Sequence, residues 1–135
     1  YLALVEGTPL PDSGELIHYL RHDDRNRRVH TTSPEAEGAR LAKLSYRTLA
    51  QWENSTLCEV VLQTGRKHQI RVQLAKLGHS LLGDRKYGAT AAFPRGIALH
   101  AWRLGFEHPV RRENLMLEAP LPSYWPARVH QHLRH

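Results

Sequence analysis

Short apolar runs separated by polar, turn-rich segments make up the first half of the chain. Residues 1–7 (YLALVEG) and 56–63 predict strands, each followed by a turn that contains Gly. Residues 42–49 alternate loosely between apolar and polar, which is typical of a half-buried strand. Residues 15–20 fit a helix or a strand equally well. The polar residues 21–38 predict an exposed excursion that carries one short strand.

A helical period follows the Thr64–Gly65 turn. Ile70, Leu74 and Leu77 are spaced at i, i+4 and i+7, which places them on one face of a helix. Gly78 is well placed to end that helix, because a residue in the left-handed conformation commonly follows the last helical turn.

The second half of the chain returns to strands. Residues 97–106 predict a strand that ends at His108 and Pro109, and residues 115–119 predict its hairpin partner. The segment from Trp125 onwards fits a final helix. Runs of strands with few helices indicate an α+β fold built around a mainly antiparallel mixed sheet.

The composition is that of a globular domain with a basic surface. The chain has 135 residues, about one domain or a large piece of one, and 41% of them are hydrophobic. Lys and Arg number 19 against 13 Asp and Glu, which gives a formal charge of +6. This excess favours a polyanionic partner, because each phosphate that Lys or Arg neutralises releases counterions. A basic protein with no such partner is the alternative.

Cysteine usage and the apolar runs bear on location. Cys58 is the only cysteine, so no disulfide can form within the chain, and a cytoplasmic location is expected. The sequence contains no apolar run of about 18 residues and no signal-peptide segment, so neither membrane insertion nor secretion is predicted. A strand that starts at Tyr1, with no initiator Met before it, suggests that upstream sequence is missing.

Basic and polar side chains cluster in the predicted first turns of the helix. They are Arg66, Lys67, His68, Gln69 and Arg71. Backbone N–H groups at a helix N-terminus attract anions, and basic side chains strengthen that attraction. Arg71 lies at the edge of the buried face, where it could hold a carboxylate or a phosphate through two parallel hydrogen bonds. A solvated, basic helix end is the alternative.

Three segments in order resemble the motifs of RluA-type RNA pseudouridine synthases. Residues 64–88 (TGRKHQIRVQLAKLGHSLLGDRKYG) resemble the family's TGR-x-HQIR-x-x-L motif and the GD-x-x-YG segment after it. Residues 1–7 resemble its Y-x-A-x-V-x-G strand, and residues 97–109 resemble its L-H-A-x-x-L-x-F-x-H-P stretch. The resemblance implies that residues 1–125 are the C-terminal part of a pseudouridine synthase catalytic domain and that residues 126–135 form a His-rich, solvated tail.

One family motif has no counterpart in the sequence. The nucleophilic aspartate of the family lies in an H-R-L-D-x-x-T-S-G segment upstream of the Y-x-A-x-V-x-G strand, and these 135 residues contain no such segment. Asp84 falls instead on the GD-x-x-YG turn, where the resemblance implies a structural role. Asp12, Asp23 and Asp24 lie in polar loops without motif support. The chain alone is therefore expected to be inactive.

The resemblance also implies roles for particular residues. Arg71 would pair with the catalytic aspartate, Tyr1 would stack on the target uracil and relay its C5 proton, and Leu99 would form an apolar wall of the substrate pocket. An ordinary strand tyrosine and a core leucine are the alternatives for Tyr1 and Leu99. The residues expected to bind RNA are Arg66, Lys67, His68, Gln69, Arg85 and Lys86.

The implied activity is isomerisation of specific uridines in ribosomal or transfer RNA by a monomeric protein. That reaction needs no cofactor and no metal. Metal chemistry is the competing idea for a chain with ten His, but the sequence has no HExxH motif and only one Cys. A non-catalytic RNA-binding module of the same fold is the alternative function.

Overall fold

A computed structural model of the chain describes residues 1–9, 11–107 and 109–134, apart from the side chains of residues 106 and 107. The strand end predicted at His108 therefore lies outside the described residues, and so does His135. Eight strands and two α-helices occur within the described part, together with a 3₁₀ turn at Arg85–Tyr87. In chain order they are β1 (Leu2–Glu6), β2 (Ser13–Asp23), β3 (Arg28–Thr32), β4 (Arg40–Gln51), β5 (Ser55–Leu62), α1 (Gln69–Leu77), β6 (Leu99–His100), β7 (Arg103–Glu107), β8 (Asn114–Glu118) and α2 (Ala127–Leu133).

Six strands form one sheet in the order β3-β2-β4-β5-β1-β6, and β7 and β8 form a separate hairpin. Every neighbouring pair is antiparallel. The predicted α+β fold with a mainly antiparallel sheet is confirmed. The ambiguous residues 15–20 belong to a strand, β2, which pairs with β4 from Ser13 to Leu20.

β1 is buried on both faces of the sheet. Because side chains alternate along a strand, Leu2 and Leu4 point to one face while Ala3 and Val5 point to the other, and all four are fully buried. On the Ala3 side the sheet packs against α1, in a core formed by Ala3, Val5, Leu44, Tyr46, Cys58, Val60, Ile70, Leu74 and Leu81. On the Leu2 side it packs against α2, in a core formed by Leu2, Leu4, Leu57, Leu82, Ala98, Trp102, Trp125 and Val129.

The helix α1 uses the predicted apolar face but begins later than the sequence suggests. Ile70 and Leu74 are buried, and Gly78 ends the helix with a φ of 98°. His68 precedes the first turn with a φ of 55°, in the left-handed region. The expectation that Arg66 and Lys67 lie within the first helical turns is therefore wrong, because they belong to the loop between β5 and α1.

The polar region at residues 21–38 is a β-hairpin of the main sheet, formed by the end of β2 with β3. The predicted short strand is confirmed, and much of the hairpin is exposed. Val29, however, is 2% exposed and packs with Leu20, Val72 and Tyr87. The excursion therefore has a buried underside that rests on α1.

Residues 97–106 do not form one strand. Leu99 and His100 pair with β1 as β6, whereas β7 leaves the main sheet and pairs with β8. Between them Trp102 is 8% exposed and packs into the α2 core, so the chain bends there to bury the indole. The hairpin partner predicted at residues 115–119 is confirmed as β8.

The final helix is also confirmed, as α2. Its Val129 is fully buried, and His130 hydrogen-bonds to the carbonyl of Pro122 through Nε2. The segment is thus docked on the sheet instead of forming a solvated tail, although His132 is exposed. Within the described residues, no helix is long and apolar enough to cross a membrane.

Candidate active site

A cleft of about 230 Å³ lies beside the N-terminal ends of β1 and α1. We call it the cleft; it is lined by Tyr1, Leu62, Arg66, His68, Gln69, Ile70, Arg71 and Leu99. Residues from three distant parts of the sequence meet there because β5 and β6 flank β1 on either side. Tyr1 is paired with Val60 of β5 through its backbone nitrogen and carbonyl, both at 2.8 Å. Leu99 pairs with Ala3 across β6 and β1.

Arg71 holds a buried carboxylate within this chain. Its Nε donates to Oδ2 of Asp84 at 2.9 Å, and its Nη2 donates to Oδ1 at 2.8 Å. The Asp84 side chain is 1% exposed and that of Arg71 is 20% exposed. These hydrogen bonds raise the pKa of Arg71, so the guanidinium remains charged. Bidentate pairs of this kind fix the plane as well as the position of a guanidinium.

The sequence did not indicate this pairing, since Arg71 was expected to bind an aspartate of another segment. One signal for it was present. Asp84 follows the apolar pair Leu81-Leu82 in a tight turn, and a carboxylate carried into a core by such neighbours needs a cation.

The turn at residues 81–88 sets the position of Asp84. Gly83 has a φ of 81°, and a Cβ there would lie 2.5 Å from the carbonyl oxygen of Gly96, so only glycine fits. The Asp84 backbone nitrogen donates to the Leu81 carbonyl, and the Asp84 carbonyl accepts from Tyr87 and Ala89. This closed turn presents the carboxylate to α1.

Tyr87, at the end of the same turn, links the cleft to the β2–β3 hairpin. Its hydroxyl accepts a hydrogen bond from the backbone N–H of Val29 and lies 2.9 Å from Nδ1 of His68. Its ring also contacts two guanidinium groups, those of Arg71 at 4.9 Å and Arg28 at 5.1 Å from the ring centroid. Tyr87 itself is 7% exposed. One buried ring therefore supports both Arg71 and His68.

His68 is positioned to be neutral. Burial lowers its pKa, and the positive charge of Arg71 lowers it further. A neutral ring can accept a hydrogen bond at Nδ1 from the Tyr87 hydroxyl. The hydroxyl is free to donate this bond because it acts as the acceptor towards the Val29 N–H.

The side-chain amide of Gln69 is hydrogen-bonded to other residues of the protein. It is 2% exposed. Its Oε1 accepts from the Thr64 hydroxyl and the Arg66 backbone N–H, both at 2.9 Å, and its Nε2 donates to the Lys43 carbonyl at 3.0 Å. The amide therefore holds the loop before α1 in place, and the expected contact of Gln69 with RNA stays a prediction.

The other residues expected to bind RNA do not lie together, and Lys67 is exposed in the loop before α1, where it lines neither the cleft nor a groove. Arg66 and His68 line the cleft, and Arg66 donates from Nε to the Leu41 carbonyl at 2.8 Å. Arg85 and Lys86 lie on the 3₁₀ turn and line a different groove. Within the part of the chain that the structure describes, no three His, Cys, Asp or Glu side chains converge as they would around a metal ion.

The fold resembles that of pseudouridylate synthase domains. A human protein of known structure, RNA Pseudouridylate Synthase Domain Containing 4, superposes with a TM-score of 0.74 at 25% identity, over 98% of this chain and 60% of that one. The family model described as RNA pseudouridylate synthase matches residues 1–76. The chain therefore belongs to the RNA pseudouridylate synthase family, and its relatives confirm the RluA type predicted from the three motifs.

Two curated relatives show how much of each protein is covered by the similarity. An RNA pseudouridine synthase of Bacillus subtilis, YlyB, is 37% identical over 124 residues, which are 91% of this chain and 40% of that protein. Ribosomal large subunit pseudouridine synthase D of Nitrosomonas europaea is 37% identical over 132 residues, which are 91% of this chain and 37% of that protein. The chain thus spans about two fifths of the length of these relatives.

We expect Asp84→Asn to destabilise the fold. The amide cannot neutralise Arg71, so a partly buried guanidinium loses its counter-charge, and breaking such a pair costs about 3 kcal/mol. The free energy of unfolding in urea measures the effect. Asp24→Asn is the control, because Asp24 is exposed on the β2–β3 hairpin and should change stability by less than about 0.5 kcal/mol. Equal, small effects of both variants would contradict the role given to Asp84.

The fold should also lose stability in mild acid. Burial lowers the pKa of both His68 and His18, whose Nδ1 lies 2.8 Å from the Gln73 amide nitrogen. The unfolded state therefore takes up protons first as the pH falls below about 6.5, so stability is retained above that pH and declines below it. Melting temperatures between pH 7.5 and 5 measure the slope.

His18→Gln and His68→Gln should each flatten this slope, because each removes a group that the folded state keeps neutral. His132→Gln is the matched control, since His132 is exposed on α2. An unchanged slope in both core variants would remove these histidines from the explanation.

Proposed function

We propose that the protein to which these residues belong converts uridine to pseudouridine in structured RNA. The observation that carries the proposal is the meeting of Tyr1, Arg71 and Leu99 in one cleft, although they come from three separate sequence motifs. Ribosomal RNA is the favoured substrate over transfer RNA, because several relatives are named ribosomal large subunit pseudouridine synthase D.

The reaction sets the requirements for the site. The N1–C1′ bond of uridine breaks, a C5–C1′ bond forms, C5 loses a proton and N1 gains one, so there is no net oxidation or reduction. The chemistry needs a carboxylate, a proton acceptor near C5 and a pocket that holds a base removed from its stack. It needs neither a metal nor a cofactor.

Tyr1 and Leu99 suit the part of the site that holds the base. The Tyr1 backbone is fixed against Val60, while 39% of the residue is exposed, so its ring can stack on an incoming uracil. The hydroxyl would then relay the C5 proton. Leu99 is half-buried on the neighbouring strand and supplies an apolar wall.

Asp84 is a poor candidate for the nucleophile. Both of its carboxylate oxygens accept hydrogen bonds from Arg71, and its side chain is 1% exposed, so it cannot reach a ribose carbon. We therefore assign Asp84 the role of positioning Arg71. The catalytic carboxylate would come from polypeptide outside these 135 residues.

Arg71 can serve both carboxylates. Asp84 uses Nε and Nη2, and Nη1 has no hydrogen-bond partner among residues 1–9, 11–107 and 109–134. Arg71 lines the cleft, so we propose that Nη1 donates to the catalytic aspartate. That contact would keep the aspartate ionised.

Thiol chemistry is an unsuitable alternative. Cys58 is fully buried, and burial raises the pKa of its thiol to about 11, so it is not a nucleophile at neutral pH. A reduced, buried thiol is in keeping with a monomer that acts in the cytoplasm. A non-catalytic RNA-binding module remains the second candidate, favoured by the basic charge of the chain.

The 135-residue chain alone should form no pseudouridine, because it lacks the nucleophile we propose. The measurement is conversion of a uridine-containing ribosomal RNA fragment, with circular dichroism to establish that the chain is folded. The full-length protein should convert the same RNA. Conversion by the folded chain alone would mean that the carboxylate has been misplaced, and no conversion by the full-length protein would favour the binding module.

Arg71→Lys in the full-length protein should reduce single-turnover pseudouridine formation by about 10- to 100-fold. Lysine keeps the charge, but its single nitrogen cannot bond to both Asp84 oxygens and also reach the catalytic aspartate. A charge-assisted hydrogen bond is worth about 1.5–3 kcal/mol, which sets the size of the expected loss in rate. Arg47→Lys is the control, because Arg47 is exposed and pairs with Glu59 at the surface. A folded Arg71→Lys protein with full activity would remove Arg71 from the mechanism.

A further inference from the structure

We propose that a second, basic groove beside the cleft binds backbone phosphates of the RNA that flank the target nucleotide. The groove has a volume of about 490 Å³ and lies between β3, α1 and the 3₁₀ turn. We call it the basic groove; its cationic and titratable lining residues are Arg28, His30, Lys76, Arg85 and Lys86. The inference extends the proposed function, on which its choice of RNA as the ligand rests.

The charge of the groove is one-sided. Four permanent cations reach it from three separate elements, and none of its lining residues is Asp or Glu. Two nearby carboxylates are already engaged, one of them with the groove residue His30, and none of the four permanent cations forms an ion pair among the described residues. Asp23, on the hairpin, contacts Nε2 of His30 at 3.2 Å, and Asp84 is paired with Arg71. Cations gathered in this way without counter-charges repel one another, so an anionic ligand would stabilise the arrangement.

Arg28 is held without a carboxylate. Its guanidinium lies over the Tyr87 ring, and its buried Nε has no hydrogen-bond partner among the described residues. Stacking on an aromatic ring orients a guanidinium while leaving its charge unneutralised. Lys86 also braces the groove, since its Nζ donates to the Arg27 carbonyl of the β2–β3 hairpin.

Tyr87 connects the basic groove to the cleft. Its ring contacts Arg28 of the groove and Arg71 of the cleft, and its hydroxyl contacts His68 of the cleft. An RNA strand whose target nucleotide enters the cleft would therefore pass its neighbouring phosphates over the groove. Phosphate contacts of this kind fix the register of a nucleic acid without reading its sequence.

The test uses the full-length protein and a fluorescein-labelled ribosomal RNA stem-loop. Lys76→Gln/Arg85→Gln removes two exposed cations of the groove. Affinity measured by anisotropy should fall about 10-fold or more at 0.1 M salt, and the slope of log affinity against log salt should decrease by about 0.7–0.9 for each phosphate that is no longer neutralised.

The matched control is Arg95→Gln/Arg134→Gln, which removes two exposed cations that line neither the groove nor the cleft. Arg28→Gln, checked by its melting temperature, is a second groove variant. Equal affinities and slopes in the groove and control variants would overturn the inference. So would displacement of the RNA by polyglutamate at equal concentration of charge.

The two proposals fail separately. A full-length protein that forms no pseudouridine, but whose RNA affinity depends on Lys76 and Arg85, would refute the proposed activity and leave the groove standing. A protein that forms pseudouridine, but whose RNA affinity does not depend on these residues, would support the proposed activity and refute the role of the groove.

Discussion

The ion pair between Arg71 and Asp84 is the interaction on which the site depends. A carboxylate that is 1% exposed has lost its hydration and needs a cationic partner, and burying the pair costs desolvation free energy that two good hydrogen bonds only partly offset. An apolar pair of the same size could stabilise the fold equally well. The ion pair therefore makes better sense as a positioning device, since it fixes a guanidinium plane at the wall of the cleft.

β1 provides the frame around that pair. It is buried on both faces and pairs with β5 and β6. A displacement of its N-terminal end would therefore disturb the packing on both faces of the sheet. Tyr1, Leu99 and α1 are all placed relative to this strand, although they are far apart in the sequence. Rigid strands place side chains more accurately than loops do, which suits the role proposed for Tyr1 and Leu99 in holding a base.

Local sequence patterns predicted most of the elements, and the resemblance to the family's motifs indicated Tyr1, Arg71 and Leu99, but neither indicated the long-range partners. Period-2 and period-3.6 apolar spacing located the strands and the face of α1, because burial imposes those periods. It could not show that residues 97–106 break at Trp102, since burial of that indole depends on α2. It also could not show that the Gln69 amide is buried and hydrogen-bonded to the loop before α1, while its neighbour His68 is only partly buried. The burial and hydrogen-bond partners of adjacent polar residues depend on the tertiary structure, which local patterns do not contain.

The charge state of the cleft follows from the same arrangement. The positive charge of Arg71 helps to lower the pKa of His68, and Lys67 and Lys86 act in the same direction. At neutral pH the cleft is therefore charged through its arginines, whose protonation does not change over the physiological range, while His68 serves as a neutral hydrogen-bonding partner of Tyr87. A site of this kind keeps a constant attraction for phosphate. In the proposed reaction, proton transfer at C5 is assigned to Tyr1, which lines the same cleft.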